Sequence, residues 1–113
     1  MRYDSETLIV KTTAGNRSIK LKDIFYIKGC EKRACIYFTE DKMIKVHHML
    51  SWFETILNCG SFCRCHRSFI VNLNWVEHHS ACRFLLKGNI KIPISRLKRD
   101  QVKKVFSEYP INE

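Results

Sequence analysis

Seven potential metal ligands, Cys59, Cys63, Cys65, His66, His78, His79 and Cys82, lie close together in the chain, with Arg64 and Arg67 among them. Side chains of these types can hold a metal, activate a thiol or bind an anion. Structural zinc needs paired ligands two to four residues apart on a turn, so that two side chains converge on one ion. Cys63 and Cys65 share a strand face but sit too far apart along it for such a knuckle, and no second pair of the usual form follows. Cysteines buried as small hydrophobes are the better account, and no metal ligand is assigned. Catalysis by Cys65 is poorer still. Nearby cations lower a thiol pKa, but side chains adjacent in a strand diverge, so His66 cannot reach Cys65 as its base. Cys65 is kept as a redox-sensitive position, and no catalytic residue is expected. Oxidation of Cys65 is expected to weaken ligand binding.

Anion binding remains. Phe62–Asn72 reads Phe-Cys-Arg-Cys-His-Arg-Ser-Phe-Ile-Val-Asn, and no acidic residue occurs from Asn58 to Val76. Simple alternation puts Phe62, Arg64 and His66 on one strand face and Cys63, Cys65 and Arg67 on the other. Solvation of a strand tip competes with anion binding as the reason for these cations. Other basic residues also collect at element ends: Lys32 and Arg33 in one loop, and Arg96, Lys98 and Arg99 at the start of the last helix. A helix start also offers free N–H groups to a phosphate. There is no glycine-rich phosphate loop or paired-carboxylate site, and the four glycines read as turn residues.

The elements that position these residues follow from periodicity. Thr7–Thr12 and Ser18–Leu21 read as strands about a turn at Ala14–Asn16. Ile24–Lys28 and Ala34–Thr39 flank a polar loop from Gly29 to Arg33, and a turn at Glu40–Asp41 leads into Lys42–Val46. Met49, Leu50, Phe53, Ile56 and Leu57 recur at helical spacing, ended by Asn58-Cys59-Gly60. Strands return at Phe62–Cys65, Phe69–Leu73 and Val76–His78. Arg83–Lys87 and Asn89–Pro93 make a hairpin around Gly88-Asn89. Ser95 is the expected N-cap of a last helix whose apolar face carries Leu97, Val102, Val105 and Phe106. The chain reads as one β-rich domain over residues 1–113, without a helix-turn-helix pair, so no recognition helix is expected in a groove.

Composition agrees. In 113 residues, 45% are hydrophobic and 12% aromatic, enough for a core, and the formal charge is +9. Such charge favours nucleic acid or an anionic surface as partner. It leans toward the C-terminal part: ten basic and seven acidic residues up to Leu57, ten and four after it. No apolar run spans a bilayer, the N-terminus is not a signal peptide, and six cysteines without an export signal read as reduced thiols, so a cytoplasmic location is expected.

Arg64-Cys65-His66-Arg67-Ser68-Phe69-Ile70-Val71-Asn72 resembles the R-x-H-x-S-[FY]-[LIV]-V-N signature of LytTR DNA-binding domains. Asp23–Ile27 resembles that family's first core strand, and Ile92-Pro93-Ile94-Ser95-Arg96 its segment before the last helix. Order and spacing agree over about residues 6–107. The resemblance implies a mainly β fold, an elongated arrangement of small antiparallel sheets with two short helices. It also implies loops that enter successive major grooves of double-stranded promoter DNA at direct repeats. Arg64 and His66 match the motif and would contact backbone or base edges. Arg67 holds its variable reading position, and Arg96 would read bases in the second groove. Ser95 falls beside Arg96, Arg33 falls in a loop where relatives place a further contact, and Lys32 and Lys98 would serve phosphates. Ser68 and Asn72 would hold the loop, while Phe69 and Val71 fill the core.

Such domains are usually output modules of bacterial two-component response regulators. The expected partners are therefore DNA and an N-terminal receiver domain or separate signalling protein, with a monomer alone and pairing on DNA. No receiver domain is present in this chain, and no cofactor is implied. A small RNA-binding β domain is the alternative, using Phe62, Phe69, Trp75 and Tyr37 as stacking platforms. A metal-bound interaction module comes third.

Overall fold

The computed structural model describes residues 7–38, 42–57 and 61–108, with side chains described as far as residue 105. The Glu40–Asp41 turn, the Asn58–Gly60 helix stop, Cys59 as a ligand and the Phe106 side chain lie outside the described residues. Principal extents of 38 × 32 × 26 Å give a modest elongation.

Three antiparallel sheets follow from the β-branched and aromatic segments. A two-stranded ribbon pairs β1 (Thr7–Thr12) with β2 (Gly15–Lys20). The central sheet contains β3 (Tyr26–Cys30), β4 (Arg33–Tyr37), β5 (Met43–Val46), β6 (Phe62–His66) and β7 (Phe69–Asn72), in the order β5-β4-β3-β7-β6. A third sheet joins β8 (Val76–His79), β9 (Arg83–Leu86) and β10 (Ile90–Pro93) in the order β10-β9-β8. Helix α1 (Leu50–Ile56) precedes β6, and α2 (Arg99–Glu108) follows β10. Among the described residues no helix is long and apolar enough to cross a membrane.

Strand alternation divides the core in two. Ile27, Ala34, Ile36, Val46 and Ile70 face one way and pack with Leu50, Phe53 and Leu57 near α1 and with Val10 and Ile19 of the ribbon. Cys63, Cys65 and Val71 face the other way, against Phe84, Leu86, Ile92, Ile94 and Val102. The central sheet is therefore buried on both faces at β7, where Ile70, Val71 and Asn72 are all inaccessible. Buried Asn72 is satisfied: its amide donates to Ile24 O (2.8 Å), and its side-chain oxygen accepts from the Asn74 N–H (3.1 Å).

Two expectations need correction. The Gly29–Arg33 loop shrinks to Glu31-Lys32, because the ladder continues through Gly29↔Ala34 and Cys30↔Arg33. Gly29 is thus a strand residue, its N–H donating to Ser68 O at 2.8 Å. Leu97 does not face the core but is 94% exposed. Arg96–Lys98 forms a separate 3-10 turn, so the helical period that buries Val102 begins only at Arg99.

Candidate nucleic-acid interface

The β6–β7 connection departs from simple alternation. Its register runs Phe62↔Asn72, Cys63↔Val71, Arg64↔Ile70 and then His66↔Phe69, so one extra residue bulges on β6. Arg64 and His66 consequently do not share a face. Arg64 turns toward α1, where Nη1 meets Glu54 Oε1 at 2.6 Å. His66 packs edge-on against Phe69 with ring centroids 5.6 Å apart.

Arg64 is committed within the fold. Besides Glu54, its Nε donates to His66 O (2.8 Å) and its Nη2 to Arg67 O (2.6 Å), and its side chain is only 17% exposed. One planar guanidinium thus clamps the turn from three directions, which a lysine ammonium could not reproduce. The Ser68 N–H donates to His66 Nδ1 at 3.0 Å, leaving Nε2 to carry the proton and act as a donor. Arg67, at the tip, is exposed and makes no hydrogen bond from its side chain to any described residue.

Ser95 stands at the N-cap of the 3-10 turn without a side-chain capping bond. Its backbone does the positioning: Ser95 N–H donates to Cys65 O (2.9 Å), and Ser95 O accepts from Lys98 N–H (3.0 Å). Arg96 projects from this turn, exposed, with no side-chain partner among the described residues. Lys98 is half-buried close to Cys63 and Cys65, whose thiolate forms its charge favours. Arg99 is engaged differently, with Nη2 on the Cys82 sulfur at 3.6 Å and Nε buried without a partner among the described residues.

Two backbone hydrogen bonds join the basic segments. Gly29 N–H to Ser68 O ties the β3–β4 hairpin to the β6–β7 turn, and Ser95 N–H to Cys65 O ties the last turn to the same place. Lys32 and Arg33, both exposed, lie at the tip of that hairpin, where Glu31 adopts a φ of 60°. The three segments singled out in the sequence are therefore brought to one edge. Arg67, Arg96, Lys32 and Arg33 are open there, whereas Arg64 is a brace. The bracing role of Glu54 escaped the sequence reading because it needs α1 packed against β6.

Cys65 offers no reactive thiolate in this state. It is fully buried, its thiol donates to Pro93 O at 3.5 Å, and burial pushes its pKa to about 12. Burial raises Cys63 to about 11. Among the described residues no three His, Cys, Asp or Glu side chains converge to hold a metal. The aromatics required for RNA stacking are in use internally. Phe62 and Phe69 pack on the two cores, Tyr37 stacks on Tyr26 at 4.5 Å, and Trp75 lies on Phe25 and donates to Lys22 O.

The chain is similar to known proteins over most of its length. A family model described as the LytTr DNA-binding domain matches residues 14–107. Two curated proteins named sensory transduction protein LytT, from Bacillus anthracis and Bacillus cereus, are each 27% identical over 93 residues. Each alignment covers 78% of this chain but 37% of the relative, so the chain spans well under half the length of these proteins. A solved LytTr DNA-binding domain of a methyl-accepting/DNA response regulator from Bacillus cereus has a similar fold. It superposes with a TM-score of 0.74 at 25% identity, covering 90% of this chain and 97% of that one.

Proposed function

The chain belongs to the LytTR family of DNA-binding domains, and from that premise we propose that it is the sequence-specific, double-stranded DNA-binding module of a bacterial transcription regulator. The observation that carries this reading is the basic edge. Backbone hydrogen bonds hold three cation-bearing turns together, and the arginines at two of their tips have no described partner. Rigid β turns that present unpaired guanidinium groups suit bidentate contacts with guanine edges in a major groove.

Within this reading Arg67 and Arg96 read bases in successive grooves. Arg33 adds a contact from the β3–β4 hairpin, and the His66 Nε2–H donates to a phosphate. Lys32 and Lys98 supply phosphate charge, and with it most of the affinity and its salt dependence. Arg64 contributes by fixing the turn that presents Arg67 and His66. The greater length of the LytT relatives fits a two-component arrangement in the cytoplasm. In it a receiver domain or separate signalling partner controls the module, and two copies occupy a direct repeat.

Selection of bound sequences from a random duplex pool tests the reading directly. Enrichment of a repeated motif, bound more tightly than its scrambled version and than single-stranded RNA in the same gel series, is the expected result. Recovery of no motif, or preference for the RNA, would overturn it.

A further inference from the structure

Cys30 is the last residue of β3 and Cys35 the third residue of β4. The register Lys28↔Cys35 and Cys30↔Arg33 makes them diagonal neighbours on one sheet face, and their sulfur atoms lie 3.4 Å apart. Both are free thiols. A disulfide bond is about 2.0 Å long, and diagonal strand neighbours start about 7–8 Å apart at Cα, so closing the bond also draws the two backbones together. Exposure differs usefully between them: Cys30 is half-buried, whereas Cys35 is 2% exposed. Burial, followed by the hydrogen bond with Cys30, raises the Cys35 pKa, while Lys45 and Lys28 oppose the rise. Cys63 and Cys65 are sealed in the second core, and Cys82 is exposed beside Arg99.

We propose that Cys30 and Cys35 form a reversible disulfide in response to peroxide, clamping the base of the hairpin that carries Lys32 and Arg33. The Cys30 thiolate attacks one peroxide oxygen. The O–O bond breaks, giving a sulfenic acid at Cys30 and, with the thiol proton, one water. The Cys35 sulfur then attacks the Cys30 sulfur, the S–S bond forms, and the S–OH bond breaks. Hydroxide leaves and takes the Cys35 thiol proton as a second water. Two thiols are oxidised by two electrons, and one peroxide is reduced to two waters. A thiol reductant reverses the bond.

The clamp acts where the hairpin is shortest. Cys30 is paired directly with Arg33 across the two-residue Glu31-Lys32 turn, so drawing Cys30 toward Cys35 shears the pairing that aims Arg33. Oxidation therefore weakens duplex binding, a consequence that rests on the DNA-binding reading above.

Trypsin provides a direct test, because it cuts after Lys28, Lys32, Arg33 and Lys42 and so separates the two cysteines into peptides 29–32 and 34–42. Peroxide-treated full chain, alkylated and digested, is expected to yield these peptides linked, and a thiol reductant to release them. Cys30→Ser and Cys35→Ala should each abolish the link. Oxidised wild type should lose about tenfold in duplex affinity, the value of one base-reading contact, while oxidised Cys30→Ser loses none. Sulfinic acid at Cys30 without the linked peptides would overturn the disulfide. Linked peptides with unchanged affinity would overturn the regulatory role. A reduced chain that binds no duplex would instead refute the DNA-binding reading, leaving the peptide result to decide the disulfide.

Discussion

The β6–β7 turn and the Ser95–Lys98 turn are equally basic, yet they use their arginines in opposite ways. In the first, Arg64 keeps the strand face of Phe62, toward α1, where its guanidinium bonds to Glu54 and two turn carbonyls, and the bulge that follows redirects only His66. In the second, backbone bonds from Ser95 hold the turn, and Arg96 is left to solvent. In the β6–β7 turn a side chain adds a brace to the backbone ladder, and the donors of that guanidinium are taken up within the fold. In the Ser95–Lys98 turn backbone bonds do the anchoring and leave Arg96 open, while Lys98 lies half-buried beside Cys63 and Cys65. Basic character alone does not say which cations are open to a ligand; hydrogen-bond satisfaction does.

This contrast breaks most sharply at Arg64. Arg64→Ala removes three charge-assisted bonds and should lower folding stability by about 2–4 kcal/mol, read from urea unfolding. Arg64→Lys should recover only part of the loss. If Arg64→Ala keeps wild-type stability and loses only DNA affinity, the brace is refuted and Arg64 becomes a reading residue.

Arg96→Ala should do the reverse. It should cost about 1–3 kcal/mol at its cognate base pair, relax preference there and leave the unfolding midpoint unchanged. A wild-type ratio of cognate to scrambled binding would remove Arg96 from the readout. Lys98→Ala should weaken all sequences evenly, by about 1 kcal/mol, and make the log–log salt slope shallower by about one. A change in base preference instead would place Lys98 among the readers.

The smallest effect concerns a half-buried histidine whose contacts are made within the fold. His48 Nε2 accepts the Lys11 N–H at 3.1 Å, and its ring stacks on Trp52 at 3.7 Å. Burial, then the charges of Lys11 and His47, lowers its pKa below the free value of 6.5. The neutral form is therefore favoured by folding. Its stabilisation is complete above pH 6.5 and fades as pH falls through the folded pKa. Unfolding curves of wild type and His48→Gln between pH 7.5 and 5 should converge on acidification (pH chosen to bracket a free histidine, about 6.5). Parallel curves would count against this assignment.

Much of the fold was legible because its local signals agree. Thr7–Thr12 forms a strand over those same residues, and the helical spacing around Leu50 and Phe53 buries both. The Gly88-Asn89 hairpin appears with both residues at positive φ. The failures occur where the period changes. Leu97 fits a helical stripe on paper, but the 3-10 turn starts a new phase at Arg99. The supposed polar loop after Lys28 is mostly ladder, because Ser68 O and the partner strand supply bonds that the segment alone does not show.

The amino-acid sequence by itself determined the β-rich class, the excess positive charge and the ordered motifs that place the chain in its family. These depend on residue type and on spacing along the chain. Only the tertiary structure decided which cations face outward, which thiols touch and which face His66 takes. One extra residue in β6 disrupts simple side-chain alternation, and contacts such as Arg64 with Glu54 or Ser95 with Cys65 join segments whose separation in sequence says nothing about their meeting.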